Sequence, residues 1–325
     1  MQIPYTALNF PAPSSANLVG RNAITASWID IVWSAVTAGK PGASHLLAHR
    51  WHSLADLVVR SHTIYANLRQ NNQNVERSTL YDSLDPTEKG ATSYFLGMVM
   101  AKLFAAKLFD TAWLFHVSQA SAGGAAMSFK RGSRLQPDLI GLNRAGDWIV
   151  VEAKGRTNAF DANAIKKAKQ QTSMIRTING VRPHLQVALQ AYFINNLLSV
   201  HIEDPSDATS DALEIKLDVN AALSRYYAVA MAMTTKAATL ETVQNRKYVT
   251  RFDEDSGITI GLESSIQESV SAGKFEQVRA FQSKSILGVI ELDAHSAAYP
   301  DGLFVRLDDR WSPQLMALEP EKRGS

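Results

Sequence analysis

Three ionisable residues stand where a chain rarely places them. Asp138 opens the apolar run "DLIGL", and Glu152 and Lys154 interrupt "WIVVEAK" (Trp148 to Lys154). Both runs read as interior strands, where a charge is costly unless it is paired or used. Between them lies the turn sequence "NRAG". If Arg144, Ala145 and Gly146 form a three-residue loop with Gly146 left-handed, Asn143 opposes Asp147. Counting back along both strands then sets Asp138 opposite Glu152. Opposed residues share a face, with Cβ atoms about 5 Å apart. Lys154 lies two residues beyond Glu152 and shares that face too. A two-residue loop would shift the register by one and separate the three.

Two carboxylates this close repel unless positive charge lies between them. The sequence has no cysteine, and no histidine lies near these residues along the chain. The donors are therefore oxygens, which suit a hard divalent cation, Mg²⁺ or Mn²⁺, better than a softer metal. Mg²⁺ is often held at about 2.1 Å by one or two carboxylates together with a substrate phosphate. A lysine beside such an ion can position water or stabilise charge growing on a phosphoryl oxygen. The chemistry that follows is metal-assisted hydrolysis of a phosphodiester. The plain alternative is a surface hairpin carrying an ordinary Glu–Lys pair.

The elements that must position these residues are legible in part. "DPTEKGATSYFLGMVMAKLFAAKLF" opens with Asp85 as N-cap, Pro86 at the first helical position and Glu88 at the third, a capping box before a long apolar helix. Gly90, Gly97, Ala101 and Ala105 along it favour close packing on a sheet. "WLFHV" (Trp113 to Val117), "DLIGL", "WIVVEAK" and "LQVALQAYFI" read as strands. Asp161 caps a helix expected to run to Ile178, with the stripe Ile165, Ala168, Thr172, Ile175 and Ile178. Upstream, residues 1 to about 20 look irregular, helices are expected over Ala23 to Val36 and Ser44 to Arg69, and "LRQNNQNVERS" reads as a polar loop. Downstream, "EDPSDATSDALE" (Glu203 to Glu214) marks a boundary, followed by a helix at Val219 to Lys236, a hairpin around "DEDSG", a helix at Ser265 to Gln282 and strands "ILGVIEL" and "LFVRL".

Pro137-Asp138 followed by Glu152-Ala153-Lys154 resembles the motif of the PD-(D/E)xK nuclease superfamily. The order helix, strand, strand, strand, helix, strand is similar to that superfamily's restriction-endonuclease-like core, and "VVEAKG" resembles the equivalent strand of Mrr-type restriction enzymes and resolvases. The resemblance covers about Asp85 to Asn195, a third of the chain. It implies that Asp138, Glu152 and the Ala153 carbonyl bind the metal and that Lys154 serves the attacking water. It also implies a polar residue from the following helix, for which Gln171 is the candidate, at the edge of the apolar stripe. Glu88 is the only acid the first helix offers, and the capping box already accounts for it. The expected architecture is α/β: a mixed central sheet flanked by helices (85–202), N-terminal helices (1–84) and a C-terminal α/β extension (203–325) that either completes the same domain or forms a second one.

The implied activity is that of a Mg²⁺-dependent endonuclease acting on double-stranded DNA, with restriction or antiviral defence as the leading role and repair or recombination beside it. A non-cleaving nucleic-acid-binding scaffold with the same fold is the competing reading. Charge distribution supports a polyanion partner. From Lys130 to Arg182 there are eleven Lys and Arg against four Asp and Glu, although the whole chain of 325 residues carries only +2. The candidate phosphate contacts are Lys130, Arg131, Arg134, Arg156, Lys166, Lys167 and Lys169, and a solvated helix face is the ordinary alternative for the last three. No sequence-reading module is recognisable, which leaves room for a protein partner that supplies targeting and for a homo-oligomer.

A cytoplasmic setting is the expectation. It rests on the absence of cysteine, of a signal-like N-terminus and of a sufficiently long apolar run, Tyr94 to Phe109 being short for a membrane span and carrying two lysines. His45, His49 and His52 share a helical face but lack the glutamate of a zinc-hydrolase motif. Tyr226 and Tyr227 read as core residues rather than base-stacking ones.

Overall fold

The turn at 144–146 settles the centre of the molecule. In the computed structural model, which describes residues 1–10, 16–38, 51–117, 136–204, 213–235, 238–284, 290–293 and 295–317, Gly146 adopts φ +89°. Asn143 and Gly146 close the loop through backbone hydrogen bonds of 3.0 Å. In chain order the first elements are β1 (Gln2–Leu8), β2 (Gly20–Thr25), α1 (Trp28–Thr37), α2 (Trp51–Asn67), β3 (Leu68–Asn71), β4 (Asn74–Arg77), α3 (Thr79–Ser83) and α4 (Pro86–Phe109). Next come β5 (Trp113–His116), β6 (Leu139–Leu142), β7 (Trp148–Gly155), α5 (Ala162–Thr172), β8 (Ile175–Ile178), β9 (Leu185–Ile194), β10 (Leu197–Glu203) and β11 (Leu213–Ile215).

The protein is α/β with a mixed sheet. β5, β6 and β7 form an antiparallel meander, and β9 returns parallel to β7 after α5. The nine-stranded sheet runs β2-β1-β4-β10-β9-β7-β6-β5, with β1 also paired to β10 and β3 to β4. The described residues of the first 20 are therefore not all irregular, and no helix starts at Ala23: β1 and β2 extend the sheet, and α1 begins at Trp28 behind a Ser27–Asp30 capping box. "LRQNNQNVERS" likewise forms the β3–β4 hairpin, turning at Asn72 with φ +53°. Polar composition misled here because β1 and β2 lie toward one edge of the sheet, where residues such as Arg21 and Asn22 stay exposed.

α4 packs on one face of the sheet and α5 on the other. Side chains alternate along β7, so Glu152 and Lys154 face α5 while Gly155 faces α4. There a Cβ on Gly155 would sit 1.7 Å from the Ser93 carbonyl oxygen, and one on Gly97 would sit 2.8 Å from the Gly155 nitrogen. The glycine ending "VVEAKG" is thus a contact point between two backbones, whereas Gly90 meets nothing within 4 Å. Gly155→Ala is expected to destabilise the fold by about 3 kcal/mol or more, since backbone cannot yield as a side chain does. Gly90→Ala, in an open helical position, should be neutral or stabilising. Equal melting temperatures for the Gly155→Ala and wild-type proteins would refute this packing. α4 spans 24 residues, longer than its apolar run suggests and long enough to cross a membrane, but two thirds of its most apolar window is buried inside the protein.

α5 ends at Thr172, not Ile178, because Ile175–Ile178 pairs as β8 with β11. The stripe residues Ile165 and Ala168 pack on Ala188 of β9, while Ile175 and Ile178 enter the main core from the strand. Of the acidic stretch from Glu203 to Glu214, residues 205–212 lie outside the described residues. Just before them, burial pushes the Asp204 carboxyl up to about 6, against the Gln186 amide and Arg182. A carboxyl that keeps its proton to higher pH in the fold than in the unfolded chain weakens the fold as pH rises from about 4 through 6. Asp204→Asn should therefore gain about 3 kcal/mol over wild type at pH 7 and well under about 1 kcal/mol at pH 4. Urea titrations with the same offset at both pH values would contradict this.

The remaining elements are α6 (Val219–Thr234), β12 (Thr239–Val243), β13 (Arg246–Asp253), β14 (Ile258–Glu263), α7 (Ser264–Ser271), α8 (Phe275–Lys284), β15 (Ile290–Asp293), β16 (Ser296–Ala298), β17 (Leu303–Leu307) and α9 (Pro313–Ala317). The helix expected over Ser265 to Gln282 is two helices, broken at Gly273 with φ +69°. The six strands form a second sheet, β12-β13-β14-β17-β16-β15, antiparallel throughout. Its apolar face joins the same continuous core as the first sheet.

Lys102 of α4 anchors that junction. It is fully buried, donates to the Ala112 carbonyl and, at 2.9 Å, to the Tyr226 hydroxyl, and its ammonium lies 4.4 Å from the Trp33 ring centroid. Tyr226 passes a 2.6 Å hydrogen bond to Asp301, which also accepts from Trp33 at 3.0 Å and from the Leu303 amide. Tyr227 is buried, accepts from Trp113 and donates to the Asp301 carbonyl.

Candidate active site

Asp138, Glu152, Lys154 and Gln171 meet at the α5 side of the β6–β7 edge. Leu139 pairs with Val151, so the next residues out, Asp138 and Glu152, face each other. The Asp138 amide donates to Glu152 Oε2 at 2.8 Å, and the Ala153 amide donates to Asp138 Oδ2 at 3.2 Å. Each carboxylate is thus aimed by the backbone of the other strand. Lys154 Nζ donates to Glu152 Oε1 and, at 2.8 Å, to Gln171 Oε1. Gln171 in turn donates to the Gln136 carbonyl at 2.9 Å, which ties α5 to the segment leading into β6.

Glu152 is fully buried, while Asp138, Lys154 and Gln171 are half-buried and reachable. Burial, with Asp138 beside it, pushes the Glu152 carboxyl up to about 7, against the hydrogen bonds and charge of Lys154 and the Asp138 amide. The carboxylate is thus held at a cost that a cation would relieve. The Ala153 amide points at Asp138, and in an extended strand the carbonyl of the same residue points the same way. Asp138, Glu152 and the Ala153 carbonyl therefore form an oxygen donor set that fits a hard cation, to be completed by water or phosphate. Among the described residues no three His, Cys, Asp or Glu side chains cluster as a metal site by themselves.

Two neighbours escaped the sequence reading. His116 of β5 pairs with Leu139, next to Asp138, whose charge opposes the fall in its imidazole pKa caused by burial. Histidine was thus distant only along the chain. Tyr94, on the exposed face of α4, has its hydroxyl pKa raised first by burial and then by the charges of Asp138 and Glu152. Neither residue belongs to a recognisable short pattern. The β5–β6 pairing that brings His116 in could have flagged it, but no local signal exists for Tyr94.

Among the expected phosphate contacts, Lys130, Arg131 and Arg134 lie outside the described residues. Lys166 and Lys167 are exposed on α5. Arg156 is exposed and pairs with Asp161 at 3.0 Å. Lys169 departs from the expectation of a free surface cation: it turns inward to Glu203 at 2.7 Å, because that carboxylate is buried at the end of β10 and needs a partner. Glu88 sits in its capping box at the exposed start of α4. Of the three histidines, His45 and His49 fall outside the described residues, as does the side chain of His52.

Comparison with protein-family models, with curated proteins and with solved structures returns no match for this chain.

Proposed function

We propose that the protein is a Mg²⁺-dependent endonuclease of restriction-endonuclease-like fold that hydrolyses DNA phosphodiesters. The observation that carries this reading is the convergence of Asp138, Glu152, Lys154 and Gln171 through direct hydrogen bonds, beside the Ala153 carbonyl. The meander β5-β6-β7, the helix α5 and the parallel return β9 also follow the order expected of that core. A bound divalent ion would supply Lewis-acid polarisation of the phosphoryl oxygen and a more acidic water. Asp138 and Glu152 would hold it. Lys154, kept in place by Gln171, would leave Glu152 for the attacking water or a phosphoryl oxygen and stabilise the charge developing there. Lys166, Lys167 and Arg156 would meet the flanking phosphates, which gives affinity without sequence preference. Restriction or antiviral defence in the cytoplasm is the role this chemistry would serve, with targeting supplied by a partner protein or a second copy.

The experiment is incubation of purified protein with supercoiled plasmid, with Mg²⁺, with Mn²⁺ and with chelator. Nicked or linear product that requires the metal supports the reading. Metal-independent binding without any cut product would favour the non-cleaving scaffold.

A further inference from the structure

On the other flank of α5 from the candidate active site lies a groove of about 540 Å³ between the helix and the ends of β1 and β10. Phe160, Ile165, Lys166, Lys169, His201 and Glu203 line it. Its position follows from a single row across the sheet. Pairing registers align Lys154 with Gln190, Gln190 with His201, His201 with Thr6, and Thr6 with Arg21, all on the α5 face. Gln190, beneath the start of α5, is bonded to the backbone of Asp161 at both ends of its amide. The groove and the active site are therefore held in one frame, about two strand spacings or roughly 10 Å apart.

The groove sets an exposed aromatic ring beside cations. Phe160 is 39% exposed and stacks obliquely on His201 at 4.6 Å and against Tyr192 at 5.8 Å. Its loop is rigidly set by Arg156 N to the Ala191 carbonyl, Arg77 to the Thr157 carbonyl and Phe193 N to the Asn158 carbonyl. One ring face is thus backed by protein and the residue still presents apolar surface to the groove mouth. The single carboxylate, Glu203, is neutralised by Lys169 and accepts a 2.8 Å hydrogen bond from His201, so it does not oppose an anion. Lys166 at the rim is exposed, and Arg21 lies close enough to Tyr192 to pull its hydroxyl pKa down against burial.

We propose that this groove is a stacking subsite for one unpaired nucleotide, its base against Phe160 and its phosphate at Lys166. The substrate of the candidate active site would then carry a single-stranded segment next to the cleaved bond. This rests on the nuclease reading for its biological meaning, but the groove is testable by binding alone. Base-on-aromatic stacking tolerates any base, and the flanking cations track the backbone.

The test is fluorescence anisotropy in chelator with a labelled blunt duplex and with the same duplex extended by a single-stranded tail. The wild-type protein is expected to bind the tailed duplex more tightly. Phe160→Ala should weaken the tailed duplex about tenfold and leave the blunt one unchanged, while Phe160→Tyr should behave as wild type. Lys166→Ala should lower the salt slope on the tailed duplex by about one. Equal wild-type affinity for both duplexes, an equal loss on both in Phe160→Ala, or no nucleic-acid binding at all would overturn the subsite. Adding Mg²⁺ separates it from the nuclease reading. Phe160-dependent binding of a tail that is never cut leaves the subsite standing and removes the nuclease. Cleavage with no Phe160-dependent tail preference does the reverse.

Discussion

Lys154→Ala is expected to fold, to bind Mg²⁺ within a few fold of wild type, and to lose cleavage by about 10²–10³-fold. The ammonium contributes no metal ligand; it is a cation fixed between Glu152 Oε1 and Gln171 Oε1. A preorganised charge aimed at developing negative charge is typically worth about 3–4 kcal/mol in the transition state. Asp138→Ala and Glu152→Ala should fail differently. Each removes an oxygen donor, so Mg²⁺ binding and cleavage should fall together. Asp138→Ala also frees the Ala153 amide, and Glu152→Ala frees the Asp138 amide, so each edge loses one aiming hydrogen bond. Calorimetric titration of Mg²⁺, plasmid cleavage and melting temperature on each variant separate the roles. A folded Lys154→Ala protein that cuts at the wild-type rate would refute the assignment.

The second large effect concerns the fold. Asp301→Ala removes the acceptor of Trp33, of Tyr226 and of the Leu303 amide at one stroke. It also deprives Lys102 of a carboxylate whose charge opposes its fall in pKa; burial pushes that ammonium down to about 7 even with Asp301 beside it. Leaving a buried charge and its donors uncompensated costs about 3–5 kcal/mol. Asp301→Ala should therefore lose that much unfolding free energy. Pairing it with Lys102→Met should recover part of the loss, because removing both charges deletes the desolvation penalty that one partner alone cannot offset. If the two losses simply add, Lys102 and Asp301 do not act as a unit. The same network ties residues beyond 203 to the first sheet: α1, α4, β5, α6 and the β16–β17 turn all supply members.

The hairpin register was legible because every determinant is local. Gly146 in its left-handed position, the alternation along "WIVVEAK" and the count from Asn143 place Asp138 opposite Glu152 without any distant contact. Gln171 was legible for the same reason, since helical spacing from Ile165 and Ala168 locates it at the edge of the packed stripe. The Asp85–Glu88 capping box reads directly from four consecutive residues.

What the sequence by itself determined, then, is the short-range geometry: an α/β chain, one turn type, one helix face, and four side chains with the spacing to converge. Tertiary structure decided the rest. β1 pairs with β10 across nearly two hundred residues, and neither strand's polar alternation names its partner, because strand pairing uses backbone groups that every residue shares. Lys169 read as a surface cation until the fold buried Glu203 beside it. His116 and Tyr94 approach the carboxylates only because β5 and α4 pack there. Lys102, one of two lysines in an apolar helix, became an anchor only once Asp301 and Tyr226 came from the other end of the chain. The physical reason is the same in each case: local periodicity fixes which way a side chain points, but the cost of burying its charge depends on what the rest of the chain brings to meet it.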